Sequence, residues 1–390
     1  MRQHGTAEVQ AEIMTIHRFS FPTTIHFGPG ARRLVADHLK EHELRRPLVV
    51  TDRGLAALPL LAEFVQLLAT AVDASVFSGV HGNPTAAQVG AGVAAFKAHR
   101  ADCVVGFGGG AALDIAKVVA AMAVHDGDVI EYAWDHPNVR PLVHTLPPFF
   151  ALPTTSGTGS EVGRSSVVSE DDTHVKRVIF SPKLLAREVF ADPELTLGLP
   201  PAVTAATGID ALTHNIESYL SPAYHPLCDG IALEGVRIAA RALPRAVRNG
   251  RDLQARSDMM MASMMGAIAF QKDLGAVHSC AHALGAVCDL HHGLANALML
   301  EPVMRFNTEA TPAKFAELAH VADLPDAADF VPWLARLKRE IGIPPSLAAV
   351  GVQRDQFPRL VELAVKDVCH QTNPRPCAAT DFERFFEQAY

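Results

Sequence analysis

From Thr15 to about Pro200, short β-rich runs alternate with stretches at helical spacing. PLVVT (47–51) reads as a buried strand ending at Asp52, Leu61–Ala71 as a helix, and Ser75–Phe77 as strand-like. Ala86–His99 is helical again, and DCVVGF (102–107) is a second buried strand that runs into Gly108-Gly109-Gly110 and a helix over Ala111–Val124. Such alternation predicts a parallel sheet covered on both faces. Beyond Asp192-Pro193 the pattern changes to long Ala-, Leu- and Met-rich stretches of helical period. Prolines at 200, 201, 222, 226, 244, 302, 344 and 345 fall where helices would begin or stop. The expectation is an α/β domain over residues 15–197 followed by an all-α domain over 198–390. Residues 1–14 read as a flexible extension, or 1–13 as the product of a start assigned too early.

Composition narrows the class. Hydrophobic residues at 49% and charged residues at 19% of 390 suit a compact protein with two cores, and a net charge of −8 argues against nucleic acid or an anionic membrane as partner. No apolar run approaches the ~20 residues that span a bilayer, and the N-terminus lacks the apolar core of a signal peptide. The six cysteines form no CxxC, so they read as reduced thiols of a cytoplasmic protein. Cys280 and Cys288 lie among candidate metal ligands, but the histidines nearby satisfy a site better.

The stretch Leu274–Leu300 holds four of the nineteen histidines. His278 and His282 are four apart and share a helix face, and His292 precedes Gly293, where a turn would aim its ring back at that face. One histidine in an apolar helix is more often a hydrogen-bonded core residue; several in an apolar wall point to a metal. Asp210 and His214 repeat the i, i+4 spacing on an earlier apolar helix, with Glu217 near the same side. Three imidazoles and a carboxylate (Asp210, His214, His278, His292) form a mixed N/O set for a divalent transition metal. Such a metal can keep a position open for an alcohol or carbonyl oxygen and act on it as a Lewis acid.

Four turns carry the remaining chemistry. Gly108–Gly110 joins a buried strand to a helix, where free N–H groups and the helix dipole favour phosphate, and Lys117 would add a charge. The plain alternative is a tight packing turn, since this is neither GxGxxG nor a Walker loop. Asp52 stands where a strand-end carboxylate accepts a ribose 2′-OH, or else caps a turn. Gly79–Pro84 is a third turn at the carboxyl edge of the sheet. PTTSGTGSE (153–161) follows the run Phe149–Leu152 with hydroxyls and glycines suited to a diphosphate or a ribose. A dinucleotide facing a metal across a cleft makes hydride transfer the reaction class.

GGGAALDIAK (108–117), PTTSGTGSEV (153–162), GIDALTHNIESYL (208–220) and HSCAHALGAVCDLHHGLANA (278–297) stand in the order and spacing of one family. From about His17 onward the chain resembles the iron-containing (group III) alcohol dehydrogenases. The resemblance implies a dehydroquinate-synthase-like fold, with a Rossmann-like NAD-binding domain and a helical metal domain, assembled as a homodimer. It implies Asp210, His214, His278 and His292 as ligands of Fe2+, with Zn2+ not separable by ligand type, and His282 as the residue beside the reacting carbon. The positions facing NAD are Asp52, Asn83, Gly108, Gly109, Gly110, Asp114, Thr154, Thr155, Thr158 and Lys176. Asp52 stands where members preferring NAD over NADP carry an aspartate.

The loop before His278 reads AFQKDLGAVH, one residue shorter than in commoner members, and His291 replaces a proline. These features, with the ending CHQTNPRP, look closer to a branch containing 4-hydroxybutyrate dehydrogenases. The expected reaction is interconversion of a small primary alcohol, such as an ω-hydroxy acid, and its aldehyde. Lys272, Arg164 and Arg375 are candidate counter-ions for a substrate carboxylate. His282, off the metal, is the candidate proton relay. Three alternatives stand beside it: a general short-chain alcohol dehydrogenase without carboxylate recognition, an NAD- and metal-dependent lyase of the dehydroquinate synthase type, and a non-catalytic metal-binding or scaffold protein.

Overall fold

The computed structural model describes Phe19, Phe21, residues 23–173 and residues 175–390; the expected extension at 1–14 lies outside these. In chain order the first half contains β1 (Thr24–Phe27), α1 (Val35–Glu41), β2 (Pro47–Asp52), α2 (Arg53–Ala56), α3 (Pro59–Leu68), β3 (Ser75–Val80), α4 (Ala86–His99), β4 (Cys103–Gly108), α5 (Gly110–Met122) and β5 (Phe149–Pro153). It continues through β6 (Ser165–Ser169), β7 (Lys176–Phe180) and β8 (Glu188–Ala191). Six strands make a sheet in the order β1-β8-β5-β4-β2-β3, every pair parallel. Every residue of β4 and β5 is buried, because α4 and α5 cover one face of the sheet and α1 and α3 the other. This explains their near-continuous apolar sequence.

One feature of this half was not anticipated. β6 and β7 pair antiparallel, Ser165 opposite Phe180 and Ser169 opposite Lys176, as a separate two-stranded sheet. SSVVS and KRVIF are short runs of strand-forming residues flanking an acidic turn, so the signal is present in the sequence.

The second half is helical: α6 (Pro201–Leu220), α7 (Pro226–Arg248), α8 (Leu253–Ala269), α9 (Ala276–Cys288), α10 (His292–Asn307), α11 (Pro312–Val321), α12 (Phe330–Glu340), α13 (Phe357–Lys366) and α14 (Ala379–Ala389). Pro201 and Pro226 open helices as expected, and Pro312 opens another. Pro244 and Pro302 correct the expectation, since both lie inside helices, α7 and α10. Their flanking residues Leu243, Ala246, Val303 and Met304 are buried, and this packing outweighs the proline penalty of ~3 kcal/mol. No described helix is long and apolar enough to cross a membrane.

α6 is buried at every residue from Thr204 to Leu220, packed among α7, α8 and α10. The crossing from β8 to this domain is pinned by Asp192, which is fully buried. Its carboxylate accepts the Gly30 N–H at 3.1 Å, the Arg32 N–H at 3.2 Å, the Glu194 N–H at 3.1 Å and the Arg32 guanidinium at 2.6 Å. Replacing Asp192 with Ala strands these donors and should lower the unfolding free energy by about 3 kcal/mol in urea denaturation.

Candidate active site

The four candidate ligands come from three helices. Asp210 and His214 lie one turn apart on α6, His278 lies in the first turn of α9, and His292 opens α10. α9 ends because Asp289 takes a left-handed conformation (φ 49°). α10 then meets α6 closely: a Cβ on Gly293 would lie 2.2 Å from the Ala206 carbonyl oxygen. Only glycine permits that approach, and it carries His292 to Asp210. Asp210 Oδ1 is 3.7 Å from His214 Nε2, 3.9 Å from His278 Nε2 and 3.5 Å from His292 Nε2. One ligand atom from each of the four residues lies within 4.8 Å of the others.

A second layer fixes these groups. His278 Nδ1 is 2.6 Å from Glu217 Oε2, and Glu217 Oε1 accepts the Val277 N–H at 2.8 Å. Burial pushes the Glu217 carboxyl up to about 8, against the N–H groups of Val277, Gly275 and His278. Burial, then the neighbouring rings of His214, His292 and His282, hold the His278 imidazole well below its ordinary range. Burial likewise takes His292 down to about 3, against the pull of Asp210. Both rings are therefore neutral and present lone pairs, the form a metal requires.

Asn296 tests whether the site fits a cation. Its Nδ2 donates to Asp210 Oδ1 at 2.7 Å and also lies 3.3 Å from His278 Nε2 and 3.2 Å from His292 Nε2. An amide has two hydrogens and here faces three acceptors, while its own Oδ1 is buried without a partner. The convergent lone pairs outnumber the protein's donors, and the N/O set suits Fe2+ or Zn2+.

His282 stands apart from this set. Its Nδ1 is 2.8 Å from Asp367 Oδ2, and Asp367 Oδ1 accepts Ser279 Oγ at 2.8 Å and the Cys369 N–H at 2.9 Å. Burial would raise the Asp367 carboxyl, but His282 and these donors hold it well below the carboxylate range. An ionised Asp367 accepts a hydrogen bond from His282 Nδ1–H and so fixes the orientation of the ring, with Nε2 on its other side.

These groups face a cleft of about 1200 Å³ that also runs past the carboxyl ends of β2, β3 and β4. Asp52, Asn83, Gly109, Gly110, Asp114, Thr155, Thr158 and Lys176 line it, as do His282 and the four candidate ligands; Gly108 and Thr154 do not. Those two sit one residue behind the wall, the Thr154 N–H donating to the Gly108 carbonyl at 3.0 Å. Gly109 caps α5 and Gly110 begins it. A Cβ on Gly110 would come within 2.7 Å of Thr158, so a side chain there would close the cradle between the helix N-terminus and the hydroxyl loop. Asp52 also caps α2 through the Leu55 N–H at 2.8 Å, and Asn83 Nδ2 donates to Asp289 at 3.3 Å. Asp114 accepts Ser160 Oγ at 2.6 Å and the Val167 N–H at 3.0 Å, fastening β6 to α5. Burial lowers the Lys176 ammonium, against Asp289.

Lys117 is buried on the cleft wall and donates to Ser160 Oγ at 2.9 Å and the Ser165 carbonyl at 2.8 Å, so it also holds the hairpin. Two basic residues need correction. Lys272 is buried against Asp229 and the Tyr219 carbonyl, off the cleft wall. Arg375 stacks on Phe306 at 4.0 Å and bonds Glu309 at 3.3 Å, also off the wall. Arg164 alone of the three candidate counter-ions lines the cleft, with Nη2 3.5 Å from Gln271 Oε1. Gln271 and Asp273 of the short loop share that wall, Asp273 at φ 64°. Asp367 and Asn296 were missed by sequence reasoning. Asp367 is 85 positions from His282 with no spacing to betray it, whereas Asn296 lies four after His292 on the same helix and was legible.

A parallel α/β domain and a helical domain sharing a dinucleotide-type cradle and a three-histidine, one-carboxylate cluster define a two-domain dehydrogenase architecture. The description "Iron-containing alcohol dehydrogenase" matches residues 22–193, and "Fe-containing alcohol dehydrogenase family, C-terminal" matches 204–390. The chain belongs to the iron-containing alcohol dehydrogenase family and is an oxidoreductase of the dehydroquinate-synthase-like fold. It is 39% identical to the 4-hydroxybutyrate dehydrogenase of Cupriavidus necator, over 94% of this chain and 98% of that one. It superposes on a crystal structure of 1,3-propanediol oxidoreductase with TM-score 0.91 at 37% identity, covering 96% of this chain and 100% of the other. Sulfoacetaldehyde reductase from Bifidobacterium kashiwanohense, solved in complex with NAD+, aligns with TM-score 0.88 at 27% identity, covering 96% and 99%.

Glu217→Gln keeps the size of the side chain but puts an amide in place of the carboxyl that faces both His278 Nδ1 and the Val277 N–H. It should weaken metal binding by about tenfold, read as metal retained after dialysis against graded chelator.

Proposed function

We propose that this chain interconverts a small primary alcohol and its aldehyde with NAD, using a divalent metal, Fe2+ by family, held by Asp210, His214, His278 and His292. The observation that carries this reading is one cleft lined both by the four converging ligands and by Gly109 and Gly110 at the N-terminus of α5. When bound, the metal supplies Lewis acidity at the substrate oxygen and NAD accepts or returns the hydride. Asp52 at the end of β2 suits a free ribose 2′-OH and repels a 2′-phosphate, which favours NAD over NADP. Gly109, Gly110, Thr155 and Thr158 offer N–H and hydroxyl groups to the diphosphate. His282, oriented through Nδ1 by Asp367, takes the alcohol proton at Nε2 in oxidation and returns it in reduction. The lyase alternative is set aside, because the matching family and the relatives above are dehydrogenases and reductases. The six cysteines are all unpaired, which suits the proposed cytoplasmic setting; a homodimer belongs to the same proposal.

For the substrate we propose an ω-hydroxy acid such as 4-hydroxybutyrate, its carboxylate met by Arg164 across from the metal ligands. The similarity to the Cupriavidus necator enzyme and the place of Arg164 on the cleft wall support this. NADH formation should give a higher kcat/KM for 4-hydroxybutyrate than for butan-1-ol. Arg164→Gln should cut that ratio by about tenfold, roughly the 1.4 kcal/mol of a lost charge-assisted hydrogen bond; an unchanged ratio removes Arg164 from carboxylate recognition.

His282→Ala should lower kcat by about 100-fold while metal content stays that of the parent. Loss of metal in that variant would instead make His282 a ligand.

A further inference from the structure

A second group of imidazoles gathers at the β1–β8 edge of the sheet. β1 and β8 run parallel with Thr24 opposite Glu188 and His26 opposite Phe190, so the side chains of His26 and Glu188 share a face, two residues apart along the ladder. His38 on α1 and His42 at its C-terminal end are four apart and turn toward the same carboxylate. Glu188 Oε2 is 2.8 Å from His26 Nε2 and 2.8 Å from His38 Nδ1. Its other oxygen, Oε1, is 2.8 Å from His42 Nε2.

The tautomer of His42 follows from its second neighbour. Arg187 Nη2 lies 3.0 Å from His42 Nδ1, and a guanidinium only donates. His42 Nδ1 therefore accepts, its Nε2 carries the proton, and that proton bonds Glu188 Oε1. One oxygen of the carboxylate is thus anchored, and the other is left facing two ring nitrogens. The remaining ligand atoms, His26 Nε2, His38 Nδ1 and a Glu188 oxygen, lie within 4.8 Å of one another.

Packing sets this arrangement in place. His26 stacks on Phe190 at 4.8 Å with 12° between planes, and His38 meets the same ring edge-on at 5.3 Å. Phe190 is fully buried and rigidly held in the sheet. The side chains of His26, His38 and Glu188 are 21%, 24% and 11% exposed, so an ion has a route from water and water can complete its coordination. None of these residues lines the cleft.

We propose that His26, His38 and Glu188 form a second divalent-metal site, with Zn2+ as its fitting ion and His42 as the residue that positions the carboxylate. Two imidazoles, one carboxylate and water make the N/O tetrahedral set that zinc accepts. The cation takes the place of the protons that otherwise link both rings to Oε2: a neutral ring keeps its one proton on its other nitrogen, and only a ring that is doubly protonated releases one to solvent. The carboxylate–imidazole partner behind the ligands is the arrangement that raises metal affinity elsewhere. The site stands independently of the catalytic reading.

The test is calorimetric titration of Zn2+ into full-length enzyme already loaded with Fe2+, with iron measured before and after. The wild type should bind one further equivalent of Zn2+ with its iron retained. His26→Ala and His38→Ala should each abolish that equivalent without loss of alcohol oxidation. His42→Gln should keep the stoichiometry and weaken the affinity by about tenfold. A readout that needs no variant is histidine acylation by diethyl pyrocarbonate mapped by mass spectrometry, in which Zn2+ should protect His26 and His38. No further equivalent, an equivalent that survives both alanine variants, or no protection of the two rings would reduce the cluster to a hydrogen-bonded clasp and overturn the proposal.

Discussion

Burial of α6 along its whole working length is the constraint on which the rest depends. A helix enclosed on every side ordinarily carries only apolar residues, yet this one holds Asp210, His214, Asn215 and Glu217 within two turns. Each would cost several kcal/mol if left unpaired. Asn215 is answered on its donor side, its amide donating to the Ala211 and Ala262 carbonyls at 2.8 and 2.9 Å, while its Oδ1 is buried without a partner. Glu217 is answered by α9, through His278 and the Val277 N–H. Asp210 and His214 are answered only in part, by Asn296 and the neighbouring imidazoles. Asp210 and His214 line the cleft, which is where a cation is needed.

The same division between groups used by the fold and groups left for ligand runs through the α/β domain. Asp114 and Lys117 lie on the helix that opens the cradle, and both are bonded to Ser160 and the β6 hairpin. They rigidify the hydroxyl loop against α5. Thr155, Thr158 and the first N–H groups of α5 are then held in position without being covered. In the helical domain Asn373 plays a comparable part: its Oδ1 accepts the Ala276 N–H at 3.3 Å and its Nδ2 donates to the Asn307 Oδ1 at 2.8 Å, tying the start of α9 to α10.

Where local signals and tertiary packing agree, the sequence was read closely. α4 runs Ala86–His99 as expected because Thr85 caps its start and Arg100 ends it in a left-handed turn. The two i, i+4 pairs on apolar helices located Asp210, His214 and His278, the turn at Gly293 located His292, and the glycine turn after β4 located the cradle. Failures came where contact depends on distant chain. Lys272 and Arg375 lie beside the right motifs in sequence, but Asp229 and Phe306, both far away, draw them off the cleft. Asp367 reaches His282 from the end of α13 without any pattern to mark it. Pro244 and Pro302 show the same lesson inverted, since packing of α7 and α10 overrides a local stop signal.

The central claim is that one ion and one dinucleotide meet in this cleft. It is tested most directly by anomalous diffraction at the iron edge from crystals of the enzyme grown with Fe2+ and NAD+. The account predicts a single strong peak within coordinating distance of Asp210, His214, His278 and His292, with the diphosphate on Gly109–Gly110 and the nicotinamide turned toward the peak. Iron at any other residues, or a dinucleotide bound away from the α5 N-terminus, would contradict it.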